Sequence, residues 1–529
     1  MKKSILKISF LLVIIAALGF IISCSEEFYE NELRGAEVAD NFYRTDDEAL
    51  QGVLAAYMTL GSSYAFIWET PWTYRSLMGD EMAAGGLARG SIAQYEIINE
   101  YNFDANNDHS SKIFSNMYNG INRTNVVLDN MVVDTPGKAI VSGEAKFLRA
   151  ANYFDLVTLF GEKIPLVTKI LSTEEFQQSP AEVGAIWSQI EKDLTEAIAA
   201  LPLKSAFVPA MKFRANKGAA QALLGKAYLY QQKYDLAATQ FEAVINSGQF
   251  NLISDYSRLW RKEQEFGAES LFELSYTDAK GNNLGGYNWG ESKFNTDNVL
   301  MLQFAPRIEN FDNMGTIGQE PGFGAGYPLS TIFDAATEAG DDIRRKAVMT
   351  EEEFLGDGVT FKVPRENIYG YFGLIRTKLA QFLDEAQGPI ITLNNGTNWR
   401  YLRYADVLLM AAEAQVLKNG PDFSKAQGYI NQVRSRVELD DITTAGPELM
   451  EVIIKERQLE LSFEGARFPD LIRWNAAGII SESELTNILG SVTGELTERK
   501  AFEDKHKLLP IPQLELNTNP NIEQNHPDW

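Results

Sequence analysis

Between positions 216 and 248 the sequence places Leu224-Gly225 ahead of Tyr228, then Ala237, then Phe241. This L-G-x2-Y and A-x3-F spacing is that of a helix–turn–helix repeat unit, and it settles both the elements and their contact. Gly225 and Ala237 are small enough for two antiparallel helices to approach closely. Leu224, Tyr228 and Phe241 fill the groove between them. A lone hairpin cannot bury its own apolar face, so several must stack.

The unit is tetratricopeptide-like, with Gln221 at the motif's tryptophan position and no closing proline. A second hairpin is expected at 401–418 and 424–437, with Leu408, Ala411 and Ala412 facing Ala426, Ile430 and Val433 across a Gly420-Pro421 turn. Apolar residues at helical spacing predict further helices over 46–60, capped by Thr45 or Asp46, and over 109–131, 143–160, 186–201 and 448–463. Between 249 and 398 glycine and asparagine become frequent and the periodicity fades. The expected fold is therefore mainly α: helical hairpins form a superhelical scaffold carrying a loop-rich irregular lobe with short strands. The expected division is 1–23 leader, 24–45 tether and strap, 46–248 N-terminal scaffold, 249–398 ligand-binding lobe, and 399–529 C-terminal hairpin and proline-containing tail.

The leader begins with Lys2, Lys3 and Lys7, followed by a 15-residue apolar run from Ile8 to Ile22. A membrane span needs about 20 apolar residues, so this length fits a signal-peptide core. The run ends at Ile21-Ile22-Ser23-Cys24, which resembles a bacterial lipobox and implies cleavage before Cys24 and acylation of its thiol. An ordinary secretory signal with an incidental cysteine is the alternative. Loss of residues 1–23 removes three lysines and no acid, taking the net charge from −24 to −27. So negative a surface opposes nucleic acid as the main partner. One cysteine and three histidines equip the chain poorly for disulfides, zinc or a Ser-His-Asp centre. No cofactor or metal site is expected, solvated acids being preferred to calcium at acid-rich loops such as 104–108 or 341–342.

Five further segments carry a family resemblance across nearly the whole mature chain. The first is Lys146-Phe147-Leu148-Arg149-Ala150 leading to Phe160-Gly161; the second is Arg403-Tyr404-Ala405-Asp406 with Glu413. The third is Ile430-Asn431-Gln432-Val433-Arg434. The fourth is Glu456-Arg457, Glu460, Glu464-Gly465-Ala466-Arg467-Phe468 and Arg473-Trp474. The fifth is Leu509-Pro510-Ile511-Pro512 with Asn519-Pro520-Asn521. In this order, behind a lipobox, they resemble the SusD/RagB family of nutrient-uptake outer-membrane lipoproteins of Bacteroidetes. The resemblance implies a non-enzyme that faces the cell exterior, captures nutrient, and delivers it to a SusC-type TonB-dependent barrel. The nutrient is a glycan in preference to a peptide. Ser25-Glu26-Glu27 resembles the surface-export signal of Bacteroidetes lipoproteins, with a solvated tether as the alternative. The motif residues themselves read as architecture: Arg403 and Asp406 as hydrogen-bonded pairs, Glu456, Glu460 and Glu464 as one solvated or salt-bridged helix face.

A ligand site for sugars needs flat aromatic faces for the C–H face of a pyranose and polar neighbours for its hydroxyls. Trp68, Trp72 and Tyr74, with Asp80 as hydroxyl acceptor, follow the first helix; Tyr287 and Trp289 lie in the glycine-rich lobe. These six are the expected ligand contacts, with core packing as their alternative role. Trp187, Trp260, Trp399 and Trp474 are expected in the core. Two rival functions remain open: a glycoside hydrolase using paired carboxylates, and a helical scaffold that binds only protein partners.

Overall fold

The computed structural model describes residues 42–65, 68–277, 298–307, 322–355, 368–380, 382–385 and 395–529. Cys24, Tyr287 and Trp289 lie outside them. The N-terminal half holds α1 (Asp46–Ala65), α2 (Pro71–Met78), β1 (Met82–Ala84), α3 (Ala93–Asn99), α4 (Asp108–Asn130), α5 (Pro136–Phe160), α6 (Ala185–Ala200), α7 (Lys217–Tyr230) and α8 (Tyr234–Asn246). The irregular middle holds β2 (Ser270–Leu274), α9 (Val299–Gln303), β3 (Gly326–Pro328), α10 (Ser330–Glu338), α11 (Asp342–Arg345), β4 (Val348–Thr350), α12 (Glu351–Leu355) and β5 (Leu374–Arg376). The C-terminal part holds β6 (Trp399–Arg403), α13 (Tyr404–Leu417), α14 (Phe423–Arg436), α15 (Leu449–Glu460), α16 (Arg467–Ala476), α17 (Glu482–Gly490) and α18 (Gln513–Thr518).

Local chemistry explains the helix ends. Thr45 Oγ1 accepts from Glu48 N at 3.1 Å while the Glu48 carboxylate accepts from Thr45 N at 2.9 Å, a reciprocal cap on α1. α5 starts before the expected position 143, because Thr135 caps Lys138 N and Pro136 supplies a first-turn residue that needs no donor. It stops at Gly161, whose φ of +76° suits glycine. α7 and α8 form the expected hairpin, and a Cβ added at Gly225 would stand 2.6 Å from the Phe241 ring.

The strands join what sequence separates. β2 pairs antiparallel with β6, β1 with β3, and β4 with β5. Residues 401–403, expected to open a helix, are instead the end of β6, and the helix begins at Tyr404. Their backbone is drawn into the ladder with β2, an option that helical periodicity does not disclose. One cluster of buried apolar side chains runs from Tyr43 to Ile522, through scaffold, middle and tail.

The tail is an extended strap as far as Pro512. Leu509 N donates to Leu159 O at 2.7 Å and Gln513 N to Ala105 O at 2.8 Å. Gln524 brackets Ile511, accepting from its N–H at 3.0 Å and donating to its carbonyl at 2.8 Å. The strap thus ties the C-terminal end of α5 to the loop ahead of α4.

Filling the α7–α8 contact should destabilise the chain. Gly225→Val is expected to lower unfolding free energy by about 1–3 kcal/mol through overpacking against Phe241, read by chemical denaturation. An unchanged midpoint would contradict the close approach.

Candidate functional site

Buried ion pairs hold the frame of the site. Arg403, at the end of β6, donates to Glu269 at 2.8 Å, to Glu460 at 2.7 Å and to Glu464 at 2.7 Å. Arg457 joins Asp470 at 2.7 Å and Asp406 at 2.8 Å. Arg473 reaches Glu413, and Arg344 reaches Glu456 at 2.7 Å. The helix face of Glu456 and Glu460 is therefore buried and salt-bridged, not solvated. Burial pushes the Asp406 carboxyl up, but Lys226 and Arg457 outweigh that and hold it at about 2.

The corner between α15 and α16 seats α2. Phe463, with φ of +62°, turns its carbonyl to Trp72, whose Nε1 donates at 2.7 Å. The Trp72 ring lies edge-on to Phe304 at 4.7 Å and to Trp399 at 6.0 Å. It is 2 % exposed, so the expected stacking of a sugar on Trp72 is corrected: the indole fills the core. Tyr74 is likewise buried, between Phe103 and Phe468. Asp80 meets Arg467 through two bonds of 3.0 Å and is sealed from solvent, so it offers no acceptor to a hydroxyl. Ring packing around Trp72 and Tyr74, and the Arg467 partner of Asp80, come from distant parts of the chain and are invisible at the sequence level. Trp260, Trp399 and Trp474 are buried as expected.

Trp68 is different. It precedes the cap of α2, where Thr70 Oγ1 accepts from Thr73 N at 3.0 Å and Pro71 opens the helix. Its carbonyl accepts from Tyr95 Oη at 2.7 Å and Thr73 Oγ1 at 3.2 Å, which anchors the backbone. The half-buried indole lies 5.8 Å from the Phe323 ring and 6.4 Å from Tyr95. Beside it, half-exposed Lys112 pairs with buried Glu69 at 2.9 Å, and Arg307 Nη1 donates to Phe323 O at 3.1 Å. Sequence reasoning singled out Trp68 but not Phe323, Lys112 or Arg307. Phe323 sits in the glycine-rich stretch already marked as loop. Lys112 carries no signal beyond its place on a solvent-facing helix position. The resulting rim has a flat ring for an apolar sugar face and cationic donors for hydroxyls.

Beneath the rim, titratable groups are kept neutral. His109 is fully buried under Tyr95, at 5.6 Å between rings, with both ring nitrogens unpartnered. Burial and then the Lys112 charge push it down to about 3. Burial, then the Asp80 charge, push the Glu81 carboxyl up to about 8, against weaker pulls from Arg467 and the Phe463 N–H. Folded Glu81 thus keeps a proton that the unfolded chain releases near the ordinary carboxylate pKa. Stability from this group is full below about 4.5, and is lost as pH rises through the window to about 8. Glu81→Gln mimics the protonated form. It should match wild type at pH 4.5 and exceed it at pH 8 by on the order of 3 kcal/mol, in urea denaturation at both pH values. Equal stability at pH 8 would contradict the neutral assignment.

A family model described as "SusD family" matches residues 329–529, and one described as "Starch-binding associating with outer membrane" matches residues 58–229. SusD-like protein P25 of Formosa agariphila is 26% identical over 97% of this chain and 98% of its own length. A SusD-like protein of Bacteroides ovatus is 23% identical over 88% of this chain and 82% of its own. Among solved structures, a laminarin-binding SusD-like protein is 28% identical, with a TM-score of 0.76 over 92% of this chain and 100% of its own. Surface glycan-binding protein A of Bacteroides thetaiotaomicron, solved with laminarihexaose, is 22% identical with a TM-score of 0.74, over 91% of this chain and 99% of its own, and shares the fold.

Proposed function

The chain belongs to the SusD family, and on that premise we propose that it is a non-catalytic surface lipoprotein that captures an oligo- or polysaccharide. It holds the glycan for a SusC-type TonB-dependent barrel in the outer membrane, anchored through acyl chains on Cys24. The observation that carries this reading is the rim at Trp68: a half-buried indole with Phe323, Lys112 and Arg307 about it on a rigid support. The laminarin-binding relative at 28% identity supports a carbohydrate ligand. The family description of starch binding in association with the outer membrane supports both ligand class and location.

Tyr287 and Trp289 join Trp68 in this proposal as further aromatic contacts. Asp80 and Glu81, the adjacent acids considered for hydrolysis, are buried and committed to Arg467 and the Phe463 N–H, so they cannot flank a glycosidic bond. The helical hairpins offer the barrel a rigid face.

A glycan array with the chain starting at Ser25 identifies ligands, and calorimetry measures the best one. Trp68→Ala should weaken binding roughly 5- to 100-fold, since one stacked ring contributes about 1–3 kcal/mol. Trp289→Ala should do the same, whereas Trp72→Ala should lower stability by about 3–5 kcal/mol as a core truncation. Unchanged affinity in both Trp68→Ala and Trp289→Ala would refute the site. Cleavage of the glycan by purified protein would replace capture with hydrolysis. Failure of the acylated protein to co-purify with a barrel would remove the transport partner.

A further inference from the structure

Ten arginines are buried among the described residues. Nine of them donate to carboxylates or to main-chain carbonyls. The tenth, Arg376, does not. Its residue is 4 % exposed, its Nε is buried without a partner, and no acceptor among the described residues meets its guanidinium. It stands over the Trp72 ring, with Cζ 6.0 Å from the centroid. An indole face attracts a cation but accepts no in-plane hydrogen bond, so the fork of N–H donors is left open.

The backbone leaves the side chain no other course. Arg376 ends β5, directly opposite Val348 of β4, and the next two N–H groups, of Thr377 and Lys378, both donate to Ala347 O. Val348 is fully buried, and Arg376 shares its face of the ladder. Nε is the one guanidinium nitrogen sealed from solvent without a partner, so what exposure Arg376 keeps includes Nη1 and Nη2. Burying an unpaired guanidinium is unfavourable, and arginine does not escape by deprotonating at physiological pH. Burial alone, with no carboxylate to oppose it, draws the group down to about 9. In a chain with 72 acids and 48 bases, an unpaired buried cation stands out.

Three buried rings lie between this cation and the rim. Trp68 lies against Tyr95, Tyr95 stacks on Phe304 at 5.7 Å, and Phe304 meets Trp72 at 4.7 Å. Resting on the glycan-capture reading, we propose that Arg376 receives an acidic group of the ligand, so that the chain takes glycans bearing carboxylate or sulfate. Both groups present paired oxygens that match the guanidinium fork. The net charge of −24 repels a polyanion at long range, so selection for the acidic group occurs at contact rather than by steering.

The test uses the chain from Ser25 with three probes: an oligogalacturonate for carboxylate, a sulfated galactan oligosaccharide for sulfate, and laminarihexaose as the neutral reference. Wild type should bind at least one charged probe. In Arg376→Gln the ratio of charged to neutral affinity should fall at least tenfold, and which charged probe responds identifies the group. Arg376→Met should melt at a higher temperature than wild type, because it removes an uncompensated buried charge while keeping the side-chain volume. An unchanged ratio in Arg376→Gln, or a lower melting temperature in Arg376→Met, overturns the inference. Equal or tighter binding of a polyglutamate peptide assigns the cation to a different ligand class and also overturns it. Binding of the neutral probe alone defeats this inference and leaves glycan capture standing; binding of no glycan at all defeats both.

Discussion

Glu460 is where the chain closes on itself. Its carboxylate accepts from Arg403 at 2.7 Å, from Arg344 at 3.3 Å, and from Arg436. Burial raises its proton affinity, but the charges of Arg436, Arg403 and Arg344 outweigh that and hold it far below the usual carboxylate range. Desolvating so many charges offsets most of what their attraction contributes. What the cluster supplies is geometry: each member is tolerable in the interior only with the others in place. It thereby ties the end of β6, α11, the end of α14 and α15 to one point. The irregular middle has few long helices of its own, and this shared centre joins it to the scaffold.

The same centre reaches the rim at Trp68 through one turn of backbone. Glu464, just beyond α15, pairs with Arg403 and with Lys378 at 2.7 Å. That pairing holds the corner where Phe463 adopts φ of +62° and Gly465 φ of +73°. A side chain at position 465 would stand 3.1 Å from the Trp72 indole, so glycine lets α2 settle against the corner. Trp72 is drawn inward, and Trp68, just before the helix, is left at the surface. A site built on such a support loses little conformational freedom when it binds.

Against this dense pairing, the buried titratable groups that lie outside it gain meaning. His109 and Glu81 resolve burial by staying neutral. Arg376 has no such route. On the proposed capture reading, a site needs a flat surface for sugar rings and a small number of fixed polar groups for identity. The rim at Trp68 has the first property; the unpaired guanidinium, with rings linking it to that rim, has the second.

Much of this was legible in the amino acids. The α7–α8 hairpin followed from Gly225, Ala237 and Phe241, because helix contact at small residues depends on spacing along a few turns. The strap followed from its prolines, since Pro510 and Pro512 block helix locally. The strand at 399–403 was not legible, because its partner β2 is supplied from over a hundred residues away and its composition reads equally as helix. Nor did composition separate the tryptophans near α2. Trp68 and Trp72 share a turn, aromatic type and polar neighbours, yet only one meets solvent. Periodicity and capping are properties of neighbouring residues, so sequence alone determined the helical scaffold and the family to which it belongs. Exposure and pairing depend on what arrives from elsewhere: a carbonyl 391 positions from Trp72, and a carboxylate or main-chain carbonyl for each buried arginine but Arg376 among the described residues. Those were decided only when the chain was folded, because burial and electrostatic compensation are properties of neighbours in space.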